Sequence, residues 1–548
     1  MNVDWKAIEA LGIRRLTNDS RQVRPGATFV AWPGGTSDGR AHIGEAIARG
    51  AAHVLWEARG FRWRSAWRVP NVGVPDLRRH AGAIASRLHG APGSRLWMVG
   101  VTGTNGKTTC SQWIAQALTR AGRRCAVIGT LGYGLRPPLK PLANTTPDAL
   151  WLHARLAEFA RRGAQAVAME VSSIGLDQHR VAGVDFDVAL FTNLTRDHLE
   201  YHATMRRYRE AKARLFAWES LRHAVVNVDD DFGRELARSV RRPGLAVIGY
   251  GFGKARATRA LCVTGSDLVT GPQGVRFAVD TPWGAARVAS STLGRHNAYN
   301  LLATLAVLLA SGVKLRAAVA ALAELKAVPG RMERLGGGAQ PLIVVDYAHT
   351  PDALEHALTT LRDVITSSGF RVPDFRLSKS KTVRENSKLE TPNPKLTCVF
   401  GCGGERDRGK RRQMGRLAAR LADRVIVTSD NPRGENPQRI IADILAGVAG
   451  CGEELAVIPD RRSAVQYAVA SARRGDVVLL AGKGHEAYQL VAGVRRPFSD
   501  VAEARRALKG GGMSGRAGAP RKGMRPAKDA GPPTAGCRVT AVAAEAAR

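Results

Sequence analysis

The segment Gly103-Thr104-Asn105-Gly106-Lys107-Thr108-Thr109 contains the residue types of a phosphate-binding loop. It follows the apolar run RLWMVGVT and precedes a helical pattern. In such a loop the glycines let the main chain approach phosphate, and the helix N-terminus supplies N–H groups. The lysine neutralises phosphoryl oxygens, and the first threonine can bind Mg²⁺. Position 101, where the usual loop has its first glycine, is a valine, so this is a shortened GxxGKT variant. The pattern predicts binding of a nucleoside triphosphate.

Two other polar residues stand where apolar runs end. Glu170 lies in AVAMEVSS, and an unpaired carboxylate on such a strand costs several kcal/mol. A Mg²⁺ ion shared with Thr108 and the nucleotide phosphates would compensate it, and a buried salt bridge is the alternative. His198, in TNLTRDHLEYH, is by itself an ordinary loop histidine.

The elements that position these residues repeat one pattern: a short apolar run, a polar turn and a helical stretch. A first series of apolar runs covers 95–102, 124–130, 166–173, 187–194 and 224–230, and a second covers 342–351, 396–404, 423–433 and 476–486. This alternation predicts an α/β fold with mostly parallel sheets that bind ligands at their carboxyl ends. We expect two such domains to face one cleft. A smaller N-terminal domain precedes them in the chain.

Length and composition agree with a large folded protein. The 548 residues are 44% hydrophobic and 24% charged, which predicts about three or four domains. The net charge of +35 would suit a nucleic-acid-binding protein, but the arginines are spread along the chain and anionic substrates also favour basic clefts. Seven scattered cysteines are expected to be reduced, and no apolar run is long enough for a membrane helix or a signal peptide. We therefore expect a cytoplasmic protein without nucleic-acid partners or membrane insertion.

Two segments interrupt the pattern. Residues from about 365 to 395 are rich in Ser, Lys and Arg where a short connection is expected, which predicts an insertion. From about 509 to 548 the chain is rich in Gly, Pro, Ala and Arg, which predicts a disordered tail.

Twelve motifs in a fixed order resemble those of the Mur ligases, in particular of the members that add diaminopimelate. They cover most of the chain between about 15 and 508: GTNGKTT (103–109), NTTPD (144–148), EVSSIGLDQHRV (170–181), FTNLTRDHLEYH (191–202), YREAKARLF (208–216), VVNVDDD (225–231), LGRHNAYNLLA (293–303), VPGRMERL (328–335), VVDYAHTPDALEHAL (344–358), GCGGERDRGKR (401–411), SDNPRGENP (429–437) and AGKGHEAYQ (481–489).

The resemblance implies a three-domain α/β architecture. An N-terminal UDP-sugar-binding domain would span 1–92, a central P-loop ATPase domain 93–328, and a C-terminal Rossmann-like domain 329–508. The implied reaction is ATP-dependent amide formation in peptidoglycan precursor synthesis. ATP would activate the D-glutamate carboxylate of UDP-MurNAc-L-Ala-D-Glu as an acyl phosphate, and the amine of meso-diaminopimelate would then displace phosphate. A monomer is expected.

The resemblance also implies roles for individual residues. Lys107, Glu170, His198 and Lys212 would be catalytic. A first Mg²⁺ would be bound by Thr108 and Glu170, and a second by His198 and Lys212 as its carbamate. Besides the loop 103–109, the ATP-binding residues would be Asn297, Asn300, Arg331 and Asp346.

Substrate-binding residues follow in the same way. For the UDP-dipeptide they are Ser20, Thr145, Thr146, Ser172, Gln178 and Arg180. For diaminopimelate they are Arg406, Asp430, Asn431, Arg433, Gly482 and Glu486. The distal carboxylate and ammonium of diaminopimelate call for an arginine fork beside acidic or amide acceptors, and the DNPR sequence at 430–433 contains these groups.

Two alternatives remain at this point. One is a related ligase with another substrate, either a lysine-adding enzyme or a relative of folate polyglutamate synthase. The DNPR and DSRQVRPG sequences speak against both. The other is a basic P-loop ATPase stimulated by nucleic acid, whose ATP turnover would rise with DNA or RNA.

Overall fold

A computed structural model describes residues 3–35, 37–253, 261–271, 273–366, 394–448, 454–510 and 539–541. Most of the predicted insertion and of the predicted tail lies outside these residues, as do Cys451 and Cys537. Cys110, Cys125, Cys398 and Cys402 are free thiols, as expected, and all four are buried.

The described residues alternate between helices and strands. The helices are α1 Trp5–Ala10, α2 Ile43–Ala48, α3 Leu77–Leu88, α4 Lys107–Arg120, α5 Ala149–Arg161, α6 Ser173–Asp177, α7 Leu199–His202, α8 Met205–Ala213, α9 Asp231–Ser239, α10 Arg295–Ala310, α11 Leu315–Ala323, α12 Pro351–Thr366, α13 Gly409–Leu421, α14 Pro437–Val448, α15 Arg461–Ser471 and α16 Asp500–Gly510. Short 3-10 helices occupy Ser20–Gln22, Gly39–His42, Pro92–Arg95 and Arg214–Ala217.

The strands lie between these helices. They are β1 Leu16–Thr17, β2 Thr28–Ala31, β3 His53–Glu57, β4 Asn71–Val74, β5 Trp97–Thr102, β6 Cys125–Gly129, β7 Gly132–Gly134, β8 Ala166–Glu170, β9 Val188–Phe191, β10 His223–Asn227, β11 Ala246–Gly251, β12 Leu261–Gly271, β13 Gly274–Thr281, β14 Gly284–Ser290, β15 Glu333–Gly336, β16 Leu342–Asp346, β17 Leu396–Phe400, β18 Arg424–Val427, β19 Glu454–Val457, β20 Val477–Ala481, β21 Tyr488–Val491, β22 Val494–Pro497 and β23 Val539–Ala541. Eight of the nine apolar runs singled out in the sequence contain one of these strands, and the run 224–230 overlaps β10, so the predicted βα alternation is confirmed.

The chain forms two compact units. The first comprises Met1–Ser266, Ala278–Val288 and Tyr299–Leu325. It begins with a parallel sheet in the order β1-β2-β3-β4, whose apolar residues pack with those of α1, α2 and α3.

A ten-stranded sheet follows, in the order β14-β13-β12-β11-β10-β9-β5-β8-β6-β7. Pairing is parallel from β12 to β6. Strands β5, β8 and β9 are almost entirely buried apolar runs, typical of a parallel sheet covered on both faces. Because β5 lies between β9 and β8, the carboxyl ends of these three strands meet at one edge of the sheet.

The second unit comprises Asp267–Phe277, Ala289–Ala298 and Lys326–Arg548. Its sheet has the order β15-β16-β20-β17-β18-β19-β23, with parallel pairing from β16 onwards. The carboxyl ends of β16, β20, β17 and β18 again meet at one edge. A separate antiparallel hairpin, β21–β22, follows β20.

Within the predicted tail, the structure describes one short strand, β23. Val539 pairs with Leu455 of β19, and the pairing continues to Ala541. The outer edge of β19 offers main-chain partners to this strand.

Candidate active site

The phosphate-binding loop connects β5 to α4 in the first unit. Gly103 has a φ of +141° and Gly106 a φ of +85°, conformations that L side chains rarely adopt. A Cβ atom at Gly103 would lie 1.9 Å from Oγ1 of Thr192. Glycine is therefore required at Gly103 by both conformation and space.

The residues after β9 hold this loop. Thr104 N donates to Asn193 O at 2.8 Å, and Asn105 N donates to Asn193 Oδ1 at 2.9 Å. The Thr192 hydroxyl donates to Asn105 O at 2.6 Å. Thr192 and Asn193 lie in the motif FTNLTRDHLEYH but had no predicted role. The signal that could have identified them is their position at the end of β9, the strand next to β5.

The Lys107 ammonium folds back over the loop. It donates to Gly103 O at 3.0 Å and to Thr104 O at 2.7 Å. The side chain is only partly buried. It is thus placed where an incoming phosphate can replace carbonyl oxygens as its partner.

The Glu170 carboxylate, 1% exposed, lies next to the start of α4. Thr108 Oγ1 donates to its Oε2 at 2.9 Å. Thr130 donates twice, from N to Oε1 at 2.7 Å and from Oγ1 to Oε2 at 3.1 Å. Gly129 leaves room for this carboxylate, because a Cβ there would lie 2.2 Å from Oε1. Glu170 and Thr108, for which the sequence predicts a shared Mg²⁺, thus lie side by side, and Thr130, for which no role was predicted, holds the same carboxylate.

Lys212 on α8 is buried against the same loop. Its Nζ donates to Gly103 O at 2.6 Å and lies 4.3 Å from the centre of the Tyr208 ring. Burial, together with the nearby charge of Lys107, holds the pKa of the Lys212 ammonium well below its usual range. Tyr208 in turn hydrogen-bonds the Thr104 hydroxyl at 3.1 Å.

His198 is the N-cap residue that precedes α7, and it has a left-handed conformation with a φ of +53°. Its ring nitrogens lie 3.5 Å from Asp197 Oδ2 and 3.6 Å from Glu200 Oε1. Burial lowers the pKa of His198, the charges of Asp197 and Glu200 oppose this effect, and Lys107 acts in the same direction as burial. A neutral imidazole can bind a metal ion through its unprotonated nitrogen.

A chain of hydrogen bonds runs from Glu170 to five predicted substrate residues: Thr145, Thr146, Ser172, Gln178 and Arg180. Thr146 Oγ1 donates to Glu170 O at 2.9 Å and lies within hydrogen-bond distance of Ser172 Oγ, at 3.1 Å. The Arg180 guanidinium donates to Thr146 O at 2.9 Å and twice to Gln178 Oε1. Thr145 contacts Thr130 through their hydroxyls at 3.0 Å. The structure thus brings these five residues together.

Ser20 is held by a different contact. Its hydroxyl donates to Glu45 Oε2 at 2.9 Å, within the region of the four-stranded sheet.

Asn297 and Asn300 lie three residues apart on α10 and therefore share a side of that helix. A Cβ at Gly106 would lie 2.6 Å from Asn300 Oδ1, so Asn300 lies against the phosphate-binding loop.

In the second unit, the loop after β18 carries Asp430, Asn431 and Arg433. Asn431 Nδ2 donates to Glu486 Oε2 at 2.8 Å. Gly482 has a φ of +108°, and a Cβ there would lie 2.6 Å from Asp430 Oδ2. Four of the predicted diaminopimelate residues, Asp430, Asn431, Gly482 and Glu486, therefore form one cluster.

Arg433 is held at this cluster by its main chain and its side chain. Its φ is +54°, its N donates to Leu490 O at 2.9 Å, and its O accepts from Ala492 N at 2.6 Å. Nη1 donates to Gly404 O at 2.8 Å. The hairpin β21–β22, to which the sequence analysis gave no role, thus fixes the loop that contains the arginine. Arg406, by contrast, is exposed.

An ion pair joins helix α13 to the loop that precedes α14, near this cluster. Arg411, 0% exposed, donates to both oxygens of Glu435, at 3.0 and 2.6 Å. Glu435 Oε2 also accepts from Glu405 N at 3.1 Å. These bonds lower the pKa of the Glu435 carboxyl to about 2. The sequence analysis did not identify this pair.

Asp346, at the end of β16, is a partly buried carboxyl at this edge. Its Oδ2 accepts from Met332 N at 2.7 Å, and Gly482 N donates to its main-chain oxygen at 3.1 Å. Burial raises the pKa of the Asp346 carboxyl, while the charge of Arg331 opposes this effect. The Arg331 guanidinium lies 4.5 Å from the centre of the Tyr347 ring.

The described residues contain no group of three or more His, Cys, Asp or Glu side chains suited to bind a metal ion. The donors around Thr108 and Glu170 nevertheless fit Mg²⁺, because they are hard oxygen ligands and Mg²⁺ usually completes its shell with water and substrate phosphates.

In the part of the chain that the structure describes, no helix is long and apolar enough to cross a bilayer.

Three family models match the chain in succession. "Mur ligase family, catalytic domain" matches 12–89, "Mur ligase middle domain" matches 101–308, and "Mur ligase, glutamate ligase domain" matches 330–370 and 379–484.

Named relatives agree with these matches. The chain is 48% identical over 503 residues to the UDP-N-acetylmuramoyl-L-alanyl-D-glutamate--2,6-diaminopimelate ligase of Nitrosomonas europaea, covering 90% of this chain and 93% of that one. It is also 48% identical to the ligase of the same name from Chromobacterium violaceum, over 92% of this chain and 97% of that one. A solved structure of a ligase of this name aligns with a TM-score of 0.64 and 36% identity, covering 92% of this chain and 96% of that one.

Proposed function

We propose that this chain, which belongs to the Mur ligase family, adds meso-diaminopimelate to UDP-N-acetylmuramoyl-L-alanyl-D-glutamate in peptidoglycan precursor synthesis. The enzyme is an ATP-dependent, amide-forming ligase. A γ-carboxylate oxygen of the D-glutamate attacks the γ-phosphorus of ATP, and ADP leaves. The diaminopimelate amine then attacks the carbonyl carbon of the acyl phosphate, inorganic phosphate leaves, and the amine loses a proton.

The phosphate-binding loop performs the first step by bringing two anions together. Lys107 exchanges the Gly103 and Thr104 carbonyl oxygens for phosphoryl oxygens of ATP and so reduces their repulsion of the attacking carboxylate. Gly103 and Gly106 keep the main chain open to the phosphates. For Asn105, Thr109, Asn297, Asn300, Arg331 and Asp346, the nucleotide-binding role implied by the resemblance is part of the proposal.

Thr108 and Glu170 would hold one Mg²⁺ ion, and His198 and Lys212 would hold a second. When bound, these ions supply positive charge next to the phosphates. Lys212 serves this role only as a carbamate, because an ammonium repels a cation. The buried environment favours that modification: the lowered pKa of Lys212 makes the neutral amine available to attack CO₂, with release of one proton. The carbamate anion would then be stabilised by neighbouring Lys107.

The hydrogen-bonded residues next to Glu170 bind the UDP-dipeptide in this proposal. The Arg180 guanidinium is a suitable partner for a carboxylate or diphosphate, and Gln178 and Thr146 orient it. Thr145, Ser172 and Ser20 complete the proposed substrate residues.

The single observation that supports diaminopimelate as the amino acid substrate is the set of side chains on the loop 430–433. It carries Arg433, whose guanidinium suits a carboxylate, and Asp430, whose carboxylate suits an ammonium group; Asn431 of the same loop binds the carboxylate of Glu486, which suits an ammonium group as well. Together, these groups match the ammonium and the carboxylate at the distal end of diaminopimelate. Lysine has the distal ammonium but no distal carboxylate. Arg406 is the exposed member of the proposed set.

The cellular setting belongs to the same proposal. Peptidoglycan synthesis links the enzyme to cell shape, cell division and the cell cycle. Since the reaction consumes ATP, we place it in the cytoplasm, and we propose that the enzyme acts as a monomer.

A phosphate-release assay tests the proposal. We expect turnover only when ATP, the UDP-dipeptide and diaminopimelate are present together, with lysine a far poorer substrate. A Lys107→Met variant controls for contaminating ATPase and should be inactive. Equal rates with lysine would refute the choice of amino acid, and stimulation by DNA without the UDP-dipeptide would indicate a nucleic-acid-dependent ATPase instead.

A further inference from the structure

Lys483 is a buried cation beside the cluster of Asn431 and Glu486. It lies in the turn after β20, and its side chain is 0% exposed. Its Nζ donates to Glu486 Oε2 at 2.8 Å and to Asn431 Oδ1 at 3.1 Å. A buried ammonium is costly unless it is paired, so these two contacts fix where the charge lies.

The same contacts set the direction of the Asn431 amide. Its Oδ1 accepts from both Lys483 Nζ and Leu490 N, the latter at 2.9 Å. The Nδ2 group is therefore turned towards Glu486, to which it donates at 2.8 Å. A flipped amide would place an NH₂ group against an ammonium and a main-chain N–H, and an oxygen against a carboxylate.

The orientation of Glu486 follows from these bonds. Lys483 and Asn431 both donate to Oε2, and neither donates to Oε1. The Glu486 side chain is 16% exposed, so a ligand can reach it from solvent. Two donors on one oxygen hold the carboxylate still and direct the other oxygen to a ligand.

We infer that Lys483 is a positioning residue for amino acid recognition: it holds Glu486 and Asn431 so that Glu486 Oε1 receives the ammonium group of the incoming amino acid. This inference rests on the proposed function. Lys483 does not itself contact the substrate, and its contribution is to reduce the reorganisation that the pocket undergoes on binding.

The test compares Lys483→Met with the wild-type enzyme. We expect KM for diaminopimelate to rise at least about tenfold, the loss of one charge-assisted contact. KM for ATP and KM for the UDP-dipeptide should change less than about twofold. Lys395→Met is the matched control, because this exposed lysine precedes β17 at the opposite end of the sheet from the cluster, and it should have no effect.

A double-mutant cycle separates a positioning role from a structural one. If Lys483 acts through Glu486, adding Lys483→Met to Glu486→Gln should raise KM for diaminopimelate little beyond Glu486→Gln alone. Additive effects would overturn the inference. An unchanged KM for diaminopimelate in folded Lys483→Met would also overturn it.

Folding of the variants is checked by circular dichroism and thermal unfolding. If Lys483→Met does not fold, Lys483→Gln, which keeps an N–H donor without the charge, should show a smaller but selective rise. If neither variant folds, Lys483 is a folding residue and the inference is wrong. Failure of the proposed function has a different signature, because the wild-type enzyme itself would then not turn over diaminopimelate.

Discussion

Replacing Arg433 by lysine tests how the amino acid is recognised. The guanidinium donates from Nη1 to Gly404 O at 2.8 Å, and its remaining N–H groups form a planar fork for a carboxylate. Gly403 lies so close that a Cβ there would be 2.8 Å from Nη1. A lysine keeps the charge at this position but cannot bind Gly404 and a carboxylate with one rigid group.

The size of the effect follows from one lost charge-assisted hydrogen bond. Such a bond contributes about 1.5 to 3 kcal/mol, and 1.4 kcal/mol corresponds to about a tenfold change in affinity. We therefore expect Arg433→Lys to raise KM for diaminopimelate roughly 10- to 150-fold. KM for ATP should stay within about twofold, because the lost contact is made only to the amino acid.

The assay is steady-state phosphate release with each substrate varied in turn. Arg439→Lys serves as the control, because Arg439 is an exposed arginine on the neighbouring helix α14. Equal and small rises in both KM values for Arg433→Lys would refute the assignment of Arg433 to the amino acid.

Three other substitutions test the remaining parts of the molecule. Lys212→Ala should nearly abolish phosphate release, and small carboxylates should restore part of it by replacing the carbamate; an unaltered rate would remove Lys212 from the site. Gly103→Ala should lower the free energy of unfolding by about 1 to 3 kcal/mol in urea titrations, because its Cβ would lie 1.9 Å from Thr192 Oγ1. Gly35→Ala, which has open space around it, should have little effect. The Glu435 carboxyl has a pKa lowered from 4.5 to about 2, so its ion pair stabilises the fold above pH 4.5 and this stabilisation is lost as the pH falls towards 2. Glu435→Gln should flatten the pH dependence of urea unfolding in that window, and an unchanged slope would contradict the ion-pair explanation.

The sequence was sufficient to predict a site or an element wherever the residues responsible lie within one short segment. The loop 103–109 combines glycines, a lysine and a helix start within seven residues, so its geometry is local. The βα alternation was equally readable, because the apolar period of a strand differs from that of a helix. Glu170 was identified for a similar reason, since a carboxylate inside an apolar run needs a partner.

Contacts between distant segments depended on strand order, which periodicity does not specify. Lys212 reaches Gly103 across 109 positions, and Lys483 reaches Asn431 across 52. The structure brings these residues together because parallel strands place their carboxyl ends at one edge of the sheet.

The sequence by itself therefore determined the fold class, the phosphate-binding loop and, through twelve ordered motifs, the resemblance to the Mur ligases. Only the tertiary structure decided that Thr130 supports Glu170 and that the hairpin β21–β22 holds Arg433. It also placed a strand at Val539–Ala541 in the predicted tail. The physical reason is that residue types and local spacing are properties of one segment, whereas hydrogen-bond partners are set by which strands become neighbours.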